Sequence, residues 1–397
     1  MFSETDVDLD QLVATTRSFI AEHVIPVDDE FDGDVEAAGG DELRVRLQGI
    51  ARDAGILTPH APVEMGGLGL NMTDRTAVFE EAGYSLFGPT ALNINAPDEG
   101  NVHLLAHVAT DDQRDRYLRP LVAGEQRSAF AMTEPAPGAG SDPTALATRA
   151  SRVDGGWLIE GRKHFITGAD GAGFFIIMAR TGGEPGDQAG ATMFLTPADR
   201  EGIELVRHIG TVDRSMIGGH CELTFTDLFV PDDDVLGEVD HGFRYAQVRL
   251  GPARMTHVMR WTGAARRAHE VAVRYAADRS AFGGRFANLG MAQQMIADNE
   301  IDLAATRALL ATACAELDEG GRAAHATSIA KTFAAEALDR VADRATQLCG
   351  GLGVSRDLPV AKIAREIRPF RIYDGPSEVH RWSISRRVVR RVTSGPS

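Results

Sequence analysis

Cysteine is scarce in this chain of 397 residues: there are three, Cys221, Cys314 and Cys349, far apart and without metal-ligand spacing. An odd, sparse set gives no disulfide framework and fits a reducing cytoplasm. Positive charge is also short. Lys and Arg number 41 against 57 Asp and Glu, a net charge of -16, which argues against nonspecific attraction to nucleic acid or to an anionic membrane. Long apolar runs are missing, since no stretch approaches the roughly 18 residues of a membrane span. The first residues, Met1-Phe-Ser-Glu-Thr-Asp6, are acidic and do not read as a signal peptide, so a cytoplasmic protein is expected. Familiar catalytic signatures are absent as well. No Gly-x-Gly-x-x-Gly sits between a strand and a helix, and no Walker loop, His-Glu-x-x-His or Gly-x-Ser-x-Gly occurs. The 12 histidines do not cluster as metal ligands, and no metal is expected. His257 and His269 fall on a predicted helix, where packing or a surface hydrogen bond is the expected role.

What is present is a change of pattern along the chain. Leu9, Leu12, Val13, Thr16 and Ile20 recur at helical spacing, and Asp111 to Leu118 reads as short capped helix. From about residue 126 the character changes. Asp154-Gly155-Gly156 is a hairpin-type turn before Trp157-Leu-Ile-Glu160. Phe174 to Ala179, Ala191 to Leu195 and Glu222 to Thr226 are short β-rich runs with no helix between them. From about 236 the helical pattern returns over Tyr245 to Ala277, Met291 to Leu317 and Ala323 to Leu348. The expected organisation is therefore an N-terminal helical domain (1–125), a middle β domain (126–235) and a C-terminal helical domain (236–397), the middle one a small antiparallel barrel or sandwich.

Two segments of the middle domain could serve a ligand. Phe130-Ala-Met132-Thr133-Glu134-Pro-Ala-Pro-Gly-Ala-Gly140-Ser141-Asp142 is rich in small residues and hydroxyls that let backbone N–H groups approach a flat polar molecule. Read alone it is only a turn-rich linker. Gly161-Arg-Lys-His-Phe165-Ile-Thr167-Gly-Ala169 places an aromatic and a hydroxyl two residues apart, hence on one face of a strand.

These segments, in order with Phe229-Val-Pro231, Leu236-Gly-Glu238, Gly242-Phe243, Arg279-Ser-Ala-Phe282-Gly283, Gln347-Leu-Cys-Gly350-Gly351-Leu-Gly353 and Tyr373-Asp374-Gly375, resemble the acyl-CoA dehydrogenases. The resemblance covers nearly the whole chain. It implies an α+β, mainly α fold: helical domain, middle antiparallel β-barrel, C-terminal four-helix bundle. Gly251-Pro-Ala-Arg254-Met-Thr-His257-Val-Met-Arg260 and Asp374-Gly-Pro-Ser-Glu-Val-His380 resemble the subgroup of family members ten and eleven and their bacterial relatives. The animal members carry additional kinase-like regions, which this sequence does not contain.

The resemblance implies FAD as cofactor and Asp374 as the base that removes the α-proton of an acyl-CoA thioester. Most relatives have Glu there, one methylene longer. Some place the base next to the position of Arg254, but here that neighbour is Ala253. Asp374 also reads as a helix N-terminal residue, because Gly375 and Pro376 follow it, and both readings can hold. The positions matching flavin contacts are Phe130, Met132, Thr133, Gly140, Ser141, Phe165, Thr167, Arg279, Phe282, Gln347, Gly350, Gly351, Pro376 and Glu378. Those matching substrate contacts are Ser141, Gly251, Arg254 and Gly375. Arg254 reads either as a neighbour of the carboxylate or as an exposed helix arginine. Phe165 stands for a usual Trp, Gly290 for a usual Gln and Pro376 for a usual Thr. Arg279 and Phe282 match a contact made across subunits, so a homodimer or homotetramer is expected, with electron-transfer flavoprotein as electron acceptor. The alternatives are a nitroalkane oxidase-like flavin oxidase and a dehydrogenase of acyl groups on a carrier protein.

Overall fold

The computed structural model describes residues 7–394. The chain divides into two compact units: residues 39–70 with 92–250, and residues 7–38 with 71–91 and 251 onward.

The first unit is built on one eight-stranded sheet of β1 (Ser128–Ala131), β2 (Arg149–Val153), β3 (Gly156–Thr167), β4 (Phe174–Arg180), β5 (Ala191–Pro197), β6 (Ile203–His208), β7 (His220–Pro231) and β8 (Val235–Leu236). Their order is β6-β7-β3-β2-β4-β5-β8, with β1 added against β4. The hairpin expected at Asp154-Gly155 is there: Val153 pairs with Gly156 in an antiparallel β2–β3 register. The sheet is not purely antiparallel, as the sequence suggested. β1 runs parallel to β4, and β2 meets β4 in parallel at Arg149 and Arg180. Chain direction leaves no mark in a strand of four apolar and small residues, so the pattern could not show it.

Two cores lie on the faces of β4, and period-2 alternation assigns each residue. Phe174, Ile176 and Met178 enter a cluster with Leu104, Leu105, Leu118 and Leu121 from the helical segments of this unit. Phe175, Ile177 and Ala179 enter the other, with Ile159, Leu223 and Val230. A strand buried on both faces reads as the continuous apolar run seen in the sequence.

The second unit is helical. It comprises Leu9–Phe19, Ile25–Glu30, Met72–Gly83, the part of the Gly242–Asp278 helix beyond residue 250, Gly290–Asp318, Ala324–Gly353, Val360–Ile367 and Ser377–Thr393. Asp8 caps the first helix by accepting from Gln11 N. Long alanine-rich helices pack closely here, and charged side chains fix their alignment. Fully buried Asp28 receives Lys362 Nζ at 2.8 Å and Arg267 Nη1 at 2.9 Å. Asp302 receives Arg340 at 2.7 Å and Arg344 at 2.8 Å. Such pairs are expensive to break once desolvated. No helix among the described residues is long and apolar enough to cross a membrane.

Candidate active site

In the second unit, Asp374 sits in a turn between Arg368–Arg371 and the Ser377–Thr393 helix. Its φ is 51°, a left-handed conformation that costs a non-glycine residue energy. The turn is held by named donors. The Asp374 carbonyl accepts Arg254 Nε at 3.0 Å and His380 Nε2 at 3.1 Å. The Gly375 carbonyl accepts Lys331 Nζ at 2.7 Å. Gly375 itself has φ 95°, and an added Cβ would lie 2.8 Å from His380 Nε2. Glycine is therefore required by both conformation and space.

The Asp374 carboxylate is mostly buried, and His257 Nε2 lies 3.0 Å from its Oδ2. The imidazole is boxed by Tyr373, with centroids 4.9 Å apart, and Phe370, 6.0 Å apart. Trp261 Nε1 donates to Tyr373 Oη, and burial pushes that phenol up to about 12. Burial also lowers the Arg254 guanidinium below its ordinary value, against the opposing pull of Asp374. It brings the fully buried Lys331 down to about 8. Burial, then Arg254 and Lys331, push His380 down to about 4. His380 is thus neutral near pH 7, and because a carbonyl can only accept, its Nε2 carries the proton.

The sequence reading gave His257 a packing or surface role. The structure bears out packing rather than a surface place: the ring is buried against Tyr373 and Phe370, and it also stands 3.0 Å from the candidate base. The available signal was spacing. Arg254 and His257 are three residues apart, one face of a helix, so a helix that brings Arg254 to the turn also brings His257. Arg254 is partly buried on the Asp374 carbonyl rather than an exposed helix arginine. Ala253 is buried and carries no acid–base group. Asp374 precedes its helix by three residues, so it is not the helix cap; Pro376 occupies that position.

In the first unit, the two glycine- and hydroxyl-bearing segments lie side by side. His164 N donates to the Thr133 carbonyl at 2.9 Å. Lys163 Nζ reaches the Met132 carbonyl at 3.2 Å and Glu134 Oε1 at 2.9 Å. Glu134 also accepts the N–H groups of Ala139, Ala147 and Thr148, which ties the loop down from both ends. Between Lys163 and Ile166 the β3–β7 register slips, and within that bulge Phe165 takes φ 55° and leaves its ring 47% exposed. The simple alternation expected from Phe165 to Thr167 is interrupted there, as bulges do when they re-aim a side chain. Thr167 Oγ1 lies 2.9 Å from His220 Nδ1, and His220 Nε2 lies 2.8 Å from Asp213 Oδ2. That chain, invisible in sequence because its members span 54 positions of unremarkable residues, fixes the hydroxyl.

The remaining positions divide by setting. Phe130 packs against the core with Arg249 4.3 Å over its ring. Ser141 and Gly140 are exposed at the loop. In the second unit Gln347, Gly350 and Gly351 are exposed near the end of their helix, and Gly251 is buried within its own. Arg279 is exposed, and Phe282, at φ 53°, is 91% exposed. Glu378 is exposed near Arg381, and Pro376 offers no N–H.

Do these residues suit a flavin dinucleotide? An added Cβ at Gly140, Gly350 or Gly351 meets nothing within 4 Å, so the main chain there is bare to an approaching phosphate. An aromatic ring held out by a bulge and a fixed hydroxyl suit a flat heteroaromatic edge. Within each unit the donor set fits such a group.

Three family models match in chain order: the acyl-CoA dehydrogenase N-terminal domain over residues 6–125, the middle domain over 129–228 and the C-terminal domain over 240–389. The probable acyl-CoA dehydrogenase FadE2 of Mycobacterium tuberculosis is 37% identical over 389 residues, covering 95% of this chain and 94% of that one. Acyl-CoA dehydrogenase family member 11 of Gallus gallus is 32% identical over 391 residues, 95% of this chain but 50% of that protein. Among solved structures, butyryl-CoA dehydrogenase of Megasphaera elsdenii superposes with a TM-score of 0.86 at 26% identity, covering 97% of this chain and 99% of the other. The fold and site define a flavoprotein oxidoreductase with helical, β and helical domains in succession. The chain belongs to the acyl-CoA dehydrogenase family, alongside family members ten and eleven and the mycobacterial protein.

Proposed function

We propose that this chain oxidises an acyl-CoA thioester between its α and β carbons, with FAD as cofactor and Asp374 as the base. The observation that carries this reading is the strain and over-determination of Asp374: a non-glycine residue at φ 51° whose carbonyl is held by Arg254 and His380. Backbone strain of that kind persists where the surroundings impose it, and it clusters at functional sites.

Asp374 removes the α-proton, so the Cα–H bond breaks and an O–H bond forms on the carboxylate. The α-proton of a thioester is far too weakly acidic for a free carboxylate, so the negative charge developing on the thioester oxygen needs fixed donors. The Asp374 N–H supplies one of them. The carboxylate is largely withdrawn from water, and Arg254 and Lys331 lie close enough to interact with it electrostatically. Bound FAD would accept the β-hydride and hold the electrons for a second redox partner. In the first unit Met132, Thr133, Phe165 and Thr167 would meet the flavin ring, and Gly140 and Ser141 the phosphates. In the second, Gln347, Gly350 and Gly351 would meet the phosphates, and Arg279 and Phe282 would serve a neighbouring subunit's cofactor.

A side chain as bare as Phe282, with Met291 at 76% and Trp382 at 60% exposure, supports a homodimer or homotetramer. Electron-transfer flavoprotein as acceptor, closure of the sheet into a barrel, a four-helix bundle, the domain boundaries near 125 and 235, and a cytoplasmic site belong to the same proposal. The three cysteines are buried free thiols, which suits a reducing compartment.

The test is anaerobic bleaching of the flavin's visible absorbance by straight-chain, branched and hydroxylated acyl-CoAs, with Asp374→Asn alongside. The expected result is that at least one thioester bleaches the wild type while the variant stays yellow. A yellow wild type that no acyl-CoA bleaches turns the assignment toward an oxidase or a carrier-protein substrate. A protein that binds no FAD refutes it.

A further inference from the structure

We infer that His257 is a positioning residue for the base: it orients the Asp374 carboxylate and is the reason an aspartate can serve at this turn. The inference rests on the dehydrogenase reading and deepens it.

The geometry is a two-point hold from one helix face. Arg254 Nε grips the Asp374 carbonyl at 3.0 Å, and one turn further along His257 Nε2 stands 3.0 Å from the carboxylate oxygen Oδ2. The main chain and the side chain of one residue are thus fixed by a single rigid element. The imidazole cannot swing away, because Tyr373 and Phe370 flank it and Trp261 anchors the Tyr373 hydroxyl. An aspartate has two side-chain torsions, and near a reacting carbon both must be set. A misplacement of about 1 Å can cost roughly a hundredfold in rate. Standing 3.0 Å from Oδ2, the ring fixes that oxygen and leaves Oδ1 to take the α-proton. His257 keeps its own proton throughout, so the step remains Cα–H to Asp374 O–H with no net charge moved onto the imidazole.

Charged groups surround the turn. Arg254, Lys331 and His380 face the turn, Arg387 acts on Arg254, Arg260 on Tyr373, and Glu336 and Glu378 on Lys331. Arg254 Nε and Lys331 Nζ donate to the main-chain carbonyls of Asp374 and Gly375. His257 Nε2 stands against the carboxylate itself, 3.0 Å from Oδ2.

The experiment compares wild type, His257→Gln and His257→Phe for anaerobic flavin reduction across pH 5 to 9, using the acyl-CoA that bleaches the wild type fastest, with flavin content and melting recorded for each. Gln keeps an N–H near the Nε2 position and cannot titrate; Phe keeps the ring volume and donates nothing. His257→Phe should lose roughly a hundredfold or more in reduction rate, and His257→Gln should stay within about tenfold of wild type. The loss should fall on the limiting reduction rate and leave the half-saturating acyl-CoA concentration near that of wild type, as for an interaction that acts in the transition state. A packing role alone would not separate the two variants in this way. If His257→Phe fails to fold, the split between limiting rate and half-saturation in His257→Gln decides. His257→Phe reducing as fast as wild type overturns the inference, and so do equal losses in both variants. Failure of every thioester to bleach wild type, or full activity in Asp374→Asn, removes the dehydrogenase reading and this inference with it; the other outcomes bear on His257 alone.

Discussion

Replacing Lys163 with Met removes one member of a fully desolvated ion pair while nearly conserving shape. Lys163 is 0% exposed and Glu134 5%. Burial brings the Lys163 ammonium down to about 8, with Glu134 pulling the other way. Burial opposes ionisation of Glu134 as well, but Lys163 and several hydrogen bonds hold it below the usual carboxylate range. Breaking a buried pair by deleting one partner costs about 3–5 kcal/mol, because a charge is left behind without compensation. Here Glu134 retains the N–H groups of Ala139, Ala147 and Thr148, so the lower end, about 3 kcal/mol, is the expected value. At about 2–4 °C per kcal/mol for a unit of this size, the thermal midpoint should fall by roughly 6–12 °C. Lys163→Met with Glu134→Gln removes both charges and leaves an amide oxygen to accept from the loop. That double variant should recover about 2 kcal/mol relative to additivity. Because Lys163 also holds the Met132 carbonyl, the single variant should copurify with less flavin. Melts followed by circular dichroism, with flavin content measured by absorbance, test both points. A single variant within 1 °C of wild type, or a double variant that merely sums the singles, refutes the reasoning.

Two further outcomes are expected in the second unit. An added Cβ at Gly263 would lie 2.0 Å from the Glu80 carbonyl; since the obstacle is backbone, Gly263→Ala should cost roughly 3 kcal/mol or more, and a melting temperature equal to wild type would deny this close helix crossing. Lys331 titrates near 8 in the folded chain against 10.5 unfolded. The unfolded chain therefore binds more protons between those values, and this group makes stability rise with pH there, by roughly 1.4 kcal/mol per unit. Urea midpoints at pH 8, 9 and 10 should climb less steeply in Lys331→Met than in wild type, and parallel curves would sink the argument.

Much of the fold was legible because its periods are long and clean. The predicted helix over Tyr245 to Ala277 is observed as Gly242–Asp278, and Ala323 to Leu348 as Ala324–Gly353. The strands at Phe174 and Ala191 were legible for the same reason, as apolar runs bounded by turn residues. Less legible was whatever depends on which distant segment comes alongside. Nothing near Asp28 announces that Lys362 and Arg267 converge on it. Nothing near Lys163 announces Glu134, and the parallel pairing of β1 leaves no local mark. His257 was seen and given the commoner role, because a helix histidine with no visible partner is usually just packed.

The positions where local rules break are the more telling ones. A sequence that specifies one structure keeps propensity, pattern and packing in agreement, and departs from them mainly where function demands it. Phe165, Phe282 and Asp374 are non-glycine residues at φ 55°, 53° and 51°. An aromatic residue in that region is a clear outlier. All three lie in segments singled out from sequence by motif, on grounds that made no reference to backbone conformation. The strain is specific to side-chain aim: the Phe165 ring leaves the sheet, the Phe282 ring leaves its unit, and the Asp374 carboxylate turns toward His257. At Asp374 the cost is offset by donors on both carbonyls of the turn. That arrangement explains why glycine, tolerant of the same φ, could not replace it: the conformation exists to aim a carboxylate, and only a residue that carries one gives the strain a purpose.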